Sequence, residues 1–138
     1  MKNIRFVEEA PPVAVYQKFR RIVGWAPLSD SAAAKGLQNA LYSVYALKGK
    51  EIIGCGRIVG DGAIYFYIQD IIVLPEYQGR GLGWQIMEYI MRYLEINATK
   101  NAFIGLMAAK DVASVYEKFG FEKRPENRPG MYRMWNGE

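Results

Sequence analysis

The chain has 138 residues, 51% of them hydrophobic and 23% charged, a length and balance that suit one globular domain over residues 1–138 with a sizeable core of its own. It has one cysteine, Cys55, and no histidine, which excludes an intrachain disulfide, a Cys-based metal cluster, a His-ligated metal site, a Ser-His-Asp triad and a Cys-His pair, so no metal is expected. The net charge of +4 is spread evenly, with 9 basic and 6 acidic residues in 1–70 and 9 and 8 in 71–138; that pattern argues against a nucleic-acid partner and favours a small anionic ligand.

Ile4 to Val7 reads as a first strand. Pro11-Pro12 opens a helix with Val15, Phe19 and Ile22 on its apolar face, which Gly24 and Pro27 end. Ser29-Asp30-Ser31 caps a second helix that runs to about Ala40. Tyr42–Leu47, Glu51–Val59 and Ala63–Leu74 then read as three strands joined by Lys48-Gly49-Lys50 and Gly60-Asp61-Gly62, an antiparallel meander. After Pro75 comes a Gly-rich loop, Gln78 to Gly83. A helix from Trp84 to Asn97 follows, its apolar face made by Ile86, Met87, Ile90, Met91 and Leu94. A strand at Ala102–Met107, a helix at Asp111–Phe119 ended by Gly120, and two last strands at Phe121–Lys123 and Met131–Trp135 complete the order. The expected fold is α/β (α+β): a mixed, mostly antiparallel sheet of about seven strands with one parallel crossover pair, and about four helices.

No apolar stretch approaches the roughly 18 residues of a membrane span, and the opening MKNIRFVEEA has no signal core. The expectation is a cytoplasmic protein without a membrane partner. The Gly-rich loop lies between a strand and a helix, where unpaired amides and the helix dipole attract a phosphate. Glycines let the backbone approach the anion, and Arg80 adds a charge-assisted contact. The loop fits neither a P-loop, since Trp84-Gln85 follows its last Gly, nor the spacing of a Rossmann fingerprint. On these residues alone a Gly-rich turn without a ligand remains the alternative.

The segment Val73-Leu74-Pro75-Glu76-Tyr77-Gln78-Gly79-Arg80-Gly81-Leu82-Gly83 resembles motif A of the GNAT N-acetyltransferase superfamily, with Gln78, Gly81 and Gly83 at its defining positions. Val115-Tyr116-Glu117-Lys118-Phe119-Gly120-Phe121 resembles motif B of the same superfamily. The resemblance runs the length of the chain and implies the fold described above, acetyl-CoA as donor and a primary amine as acceptor; a small-molecule amine is preferred because no long acidic or peptide-binding groove is apparent in the sequence. It implies that the backbone of Ile71, Ile72 and Val73 pairs with the pantetheine arm. It further implies that Gln78, Gly79, Arg80, Gly81, Leu82, Gly83 and Trp84 form the pyrophosphate cradle. Ala109 stands where many members carry an Asn that contacts CoA, with Lys110 beside it.

By the same resemblance Tyr116 protonates the departing thiolate; the alternative is a helix-face aromatic in the core. The position where some members carry a Glu base is Tyr67, which leaves Asp70 as the acid of that strand. Strand alternation places Asp70 on the face opposite Tyr67 and Gln69 unless a bulge intervenes. Asp70 as general base, Asp70 paired with an Arg or with backbone, and proton loss through water all stay open. Phe19, Trp25, Tyr65, Tyr67 and Met131 are the candidate acceptor-pocket residues, through stacking or cation–π contact. Cys55 reads as a buried, inert thiol. A homodimer through the edge of the last strands is compatible with the sequence. A non-catalytic acyl-CoA sensor or interaction module on the same fold is the rival reading.

Overall fold

The computed structural model describes residues 3–137, and tertiary contacts divide the chain into two compact units, Met1–Met107 and Ala108–Glu138. The first unit contains β1 (Ile4–Val7), α1 (Val13–Ile22), α2 (Asp30–Gln38), β2 (Tyr42–Lys48), β3 (Glu51–Gly60), β4 (Tyr65–Val73), a 3-10 turn (Pro75–Tyr77), α3 (Leu82–Asn97) and β5 (Phe103–Leu106). Its five strands lie in the order β1-β2-β3-β4-β5. All neighbours are antiparallel except β4 and β5, which run parallel.

Local chemistry sets most of these boundaries. Ser29 caps α2 by accepting the Ala32 N–H at 3.2 Å. In the β3–β4 turn the Asp61 carboxylate accepts the N–H groups of Ala63, Ile64 and Tyr65 at 2.8, 2.9 and 3.1 Å. These backbone donors hold its carboxyl below the usual range. Pro75, without an N–H, ends β4 and opens the 3-10 turn.

Helix α3 buries Leu82, Ile86, Met87, Ile90 and Leu94 against the sheet. It comes close because β3 is bare beneath it. A Cβ on Gly56 would lie 2.7 Å from Ile71 Cδ1, 2.8 Å from Ile86 Cγ2 and 3.1 Å from Ile90 Cδ1. Helices α1 and α2 pack together through Tyr16, Ala33 and Leu37. The apolar face of α1 is rotated from the expected one: Tyr16, Gln17 and Phe19 are buried, whereas Ile22 is exposed. The cause is the polar anchor of Tyr16, whose hydroxyl reaches Asp70 on β4, and periodicity among apolar residues cannot register such a partner.

The second unit holds α4 (Ala113–Glu117), shorter than the expected Asp111–Phe119. Its end is a Schellman closure. Gly120, at φ 92°, donates its N–H to the Glu117 carbonyl at 3.0 Å, and Phe121 donates to the Tyr116 carbonyl at 3.3 Å. The Phe121 ring meets the Tyr116 ring edge-on at 6.5 Å, supplying the apolar contact that accompanies this motif. The two last strands expected at 121–123 and 131–135 are not formed, so the sheet has five strands and not about seven. Alternating residues make a strand only where a neighbouring backbone completes the ladder, and Pro125 and Pro129 break the intervening segment. Met131, Tyr132, Met134 and Trp135 remain exposed. The strand edge expected to offer a dimer contact is likewise absent among the described residues.

Gly56→Ala is expected to destabilise the protein by about 1–3 kcal/mol, the usual cost of overpacking, because Ile86 and Ile90 must yield together. Urea unfolding measures it, and an unchanged midpoint would contradict the packing of α3 on β3.

Candidate ligand cleft and catalytic residues

The site begins with a bulge in β4. Cys55 pairs with Ile72 and Arg57 with Gln69, so Gly56 alone faces both Asp70 and Ile71. Asp70 takes a left-handed φ of 61°, a conformation that Asp tolerates better than most residues with a Cβ. The extra residue breaks the alternation of the strand. It brings the Asp70 carboxylate round to Gln69, whose side-chain amide donates to Oδ1 at 3.2 Å, instead of leaving it on the opposite face.

The Asp70 side chain is 1% exposed. Oδ2 accepts the Tyr16 hydroxyl at 2.8 Å and Arg57 Nε at 2.6 Å. Arg57 also donates from a terminal nitrogen to the Gly36 carbonyl of α2 at 2.9 Å, and its guanidinium lies 5.7 Å from the centre of the Tyr16 ring. Burial opposes the Arg57 charge, but the hydrogen bond and negative charge of Asp70 outweigh it and raise its pKa above the ordinary value. Burial, then the charge of Asp70, raises the Tyr16 phenol. Cys55 is buried, its thiol donates to the Asp70 carbonyl at 3.4 Å, and burial pushes its pKa far up. The thiol is buried, as the sequence suggested.

Beyond the bulge the sheet parts. β4 pairs with β3 as far as Val73 but with β5 only from Tyr65 to Ile68. Ile71, Ile72 and Val73 therefore lie past the last β5 pair, and one edge of their backbone faces no strand of the sheet. The chain then enters the Gly-rich loop, where Gln78 donates its side-chain amide to the Val73 carbonyl at 2.9 Å. Gly79 and Gly81 have φ of 77° and 82°, and a Cβ at either would meet nothing within 4 Å. Helical bonding in α3 starts with the Gln85 N–H donating to the Gly81 carbonyl, and the first turn carries no acidic residue. The loop leaves open space beside both glycines at the positive end of a 16-residue helix. Arg80 is exposed beside it, 5.9 Å over the Tyr77 ring.

The other expected residues are more scattered. Phe19 is fully buried and offers a ligand no surface, a correction to its place among acceptor-pocket residues. Trp25 is partly exposed, with the Arg20 guanidinium 5.4 Å from its ring. Tyr65 is exposed on β4 against Phe103, and Tyr67 is half-buried, its phenol raised by burial. In the second unit Tyr116 is half-buried on α4, and burial raises its phenol too; Met131 is exposed. Arg57 and Tyr16 were missed as site residues. The available signal was a lone Arg inside an apolar strand, which needs a buried anion to be tolerated.

The acetyltransferase (GNAT) domain model matches residues 39–123. This chain belongs to the GNAT family. The family member is 36% identical to a Staphylococcus aureus protein of known structure, described as a probable acetyltransferase of unknown function, with a TM-score of 0.89 over 96% of this chain and 99% of that one. It is 37% identical over 123 residues to histone acetyltransferase TAP1 of Glycine max, covering 80% of this chain and 52% of that protein. It is 40% identical over 83 residues to the chloroplastic GCN5-related N-acetyltransferase 2 of Arabidopsis thaliana, covering 60% of this chain and 31% of that one. This GNAT chain thus spans about half the length, or less, of these two curated relatives. Among the described residues no helix is long and apolar enough to cross a membrane.

Asp70→Asn keeps the left-handed backbone accessible but removes the charge that balances Arg57. The expected loss is about 3 kcal/mol, at the low end for a broken buried pair because Arg57 retains some exposure. Chemical denaturation checks this, and a loss below about 0.5 kcal/mol would reduce the pair to an ordinary surface contact. The raised phenol of Tyr16 gives a second expectation. Its stabilisation is fully present below the unfolded pKa near 10 and is lost as pH rises toward the higher folded value. Stability measured from pH 9 upward should fall, and Tyr16→Phe should flatten that fall.

Proposed function

We propose that this chain is an acetyl-CoA-dependent N-acetyltransferase that moves an acetyl group directly from the CoA thioester to a primary amine of a small-molecule acceptor. One observation carries the reading: the backbone edge at Ile71–Val73, which faces no further strand, leads through the Pro75–Tyr77 turn to the glycine-rich N-terminus of α3. The GNAT family uses acetyl-CoA, and these residues suit it. In this reading the pantetheine arm adds along Ile71–Val73 as a further strand would. Its pyrophosphate rests on the amides from Gly79 to Trp84, with Gln78 bracing the loop and Arg80 adding charge.

Three demands remain: the ammonium loses a proton, the oxyanion is held, and the thiolate is protonated as the C–S bond breaks. A backbone N–H near Val73 is the oxyanion donor. Tyr116 gives its phenolic proton to the sulfur. Its raised pKa keeps it protonated across the physiological range. The ammonium proton passes to water. Asp70 is not assigned as the base, because its oxygens already accept from Tyr16, Arg57 and Gln69 and it is closed to solvent.

The rival, an acyl-CoA-binding module without catalysis, is favoured by two features: the engaged Asp70, and Ala109 in place of the family Asn. Release of CoA thiol in the presence of an amine panel that includes a histone-tail peptide separates the readings. Turnover with small amines is expected; turnover with the peptide alone would overturn the small-molecule preference, and none with any amine would favour the module.

At Gly83 a Cβ would meet only the Val73 side chain, at an unstrained 4.0 Å. Gly83→Val should therefore leave the melting temperature nearly unchanged while weakening acetyl-CoA binding by about tenfold or more, a loss of about 1.4 kcal/mol. Calorimetry showing unchanged affinity would remove the loop from the site. Tyr116→Phe should lower kcat by about 10²-fold, the low end for a lost general acid, with little change in acetyl-CoA affinity. Unchanged turnover would remove Tyr116 from the chemistry.

A further inference from the structure

We infer that Arg57 and Tyr16 are positioning residues: through Asp70 they hold the β4 bulge that opens the Ile71–Val73 edge to the thioester-bearing arm. The inference rests on the acetyl-CoA reading above and assigns a task to two residues that do not touch the ligand in it. The placement is specific. The last β4–β5 pair is Ile68 with Leu106, and the bulged residues Asp70 and Ile71 begin two positions further on, after Gln69. A bulge bends its strand and increases the local twist, so a bulge at this point turns β4 away from β5 where the edge must open.

A left-handed Asp inside a strand is unfavourable unless its surroundings over-determine it. Here they do, from three elements. Tyr16 of α1 and Arg57 of β3 both donate to Oδ2, Gln69 of β4 donates to Oδ1, and Cys55 donates to the Asp70 carbonyl. Arg57 extends the tie to the Gly36 carbonyl of α2. Gly56, opposite the bulge, leaves room for Ile71 to turn toward α3. Had the carboxylate served only to neutralise Arg57, a regular strand with the pair on one face would have sufficed. The regular alternation is broken instead, and every donor converges on the residue that breaks it.

The test compares two ligands: acetyl-CoA, which carries the arm, and ADP, which carries a pyrophosphate without it. Affinities for both are measured with the wild type, Tyr16→Phe, which keeps the ring and loses one donor, and Arg57→Lys, which keeps the charge and loses the fork. Amide hydrogen exchange at Ile71–Val73 is read alongside. Expected in both variants is a loss of about tenfold in acetyl-CoA affinity, with ADP affinity within twofold of wild type and faster exchange confined to 70–73. Equal losses for both ligands would show a merely structural role and overturn the inference, as would no loss for either. If one variant fails to fold, the other decides. If the wild type binds neither ligand, the acetyl-CoA reading itself fails. Exchange at 70–73 then judges the anchor alone: local acceleration in the variants supports it, and unchanged exchange overturns it.

Discussion

The first unit is organised around one buried charge. Asp70 lies in the middle of β4, closed to solvent, in a backbone conformation that a strand residue rarely adopts. An isolated carboxylate there would be prohibitively costly. Arg57 and Tyr16 make it tolerable, and in doing so they tie α1, α2, β3 and β4 at one point. The rotation of α1, the loss of alternation in β4 and the early end of the β4–β5 ladder all lie within reach of that tie. A hydrophobic core would have given the sheet stability without fixing where it opens.

The opening joins two kinds of backbone polarity. A strand edge past its last partner offers donors and acceptors in an extended row. A helix N-terminus offers clustered amides and partial positive charge. The 3-10 turn at Pro75–Tyr77 and the two left-handed glycines set one directly after the other. In the acetyl-CoA reading proposed above, the combination suits a ligand with an extended amide arm and a diphosphate, and it requires few side chains beyond Gln78 and Arg80. Such a cleft is built mostly from main chain, which is why glycine and proline positions carry much of its sequence signature.

Motif B shows the same economy. In Tyr116-Glu117-Lys118-Phe119-Gly120-Phe121, Gly120 provides the left-handed residue that ends α4, and Phe121 packs back on Tyr116. The motif is thus a helix-ending device that fixes the tyrosine's own turn. The family model covers both this segment and the sequence of motif A, and burial raises the Tyr116 phenol.

Much of this was legible in the residues. The meander, the crossover helix, the Gly-rich loop and Gly120 follow from period, turn chemistry and caps, each of which acts over a few neighbouring residues. The five-strand count was not legible: Phe121–Lys123 and Met131–Trp135 have strand-like composition, yet a strand exists only when another backbone completes its ladder. Phe19 was read as a pocket residue because aromatic character does not say which side of a helix meets the core. For Asp70 the sequence left base, Arg-paired carboxylate and a water route open, without naming the partner. Sequence showed an acid in a strand and an Arg in another; tertiary structure brought the two within hydrogen-bonding distance across a bulge. Local interactions are written in neighbouring letters, while the partner of a buried charge is chosen only when distant segments meet.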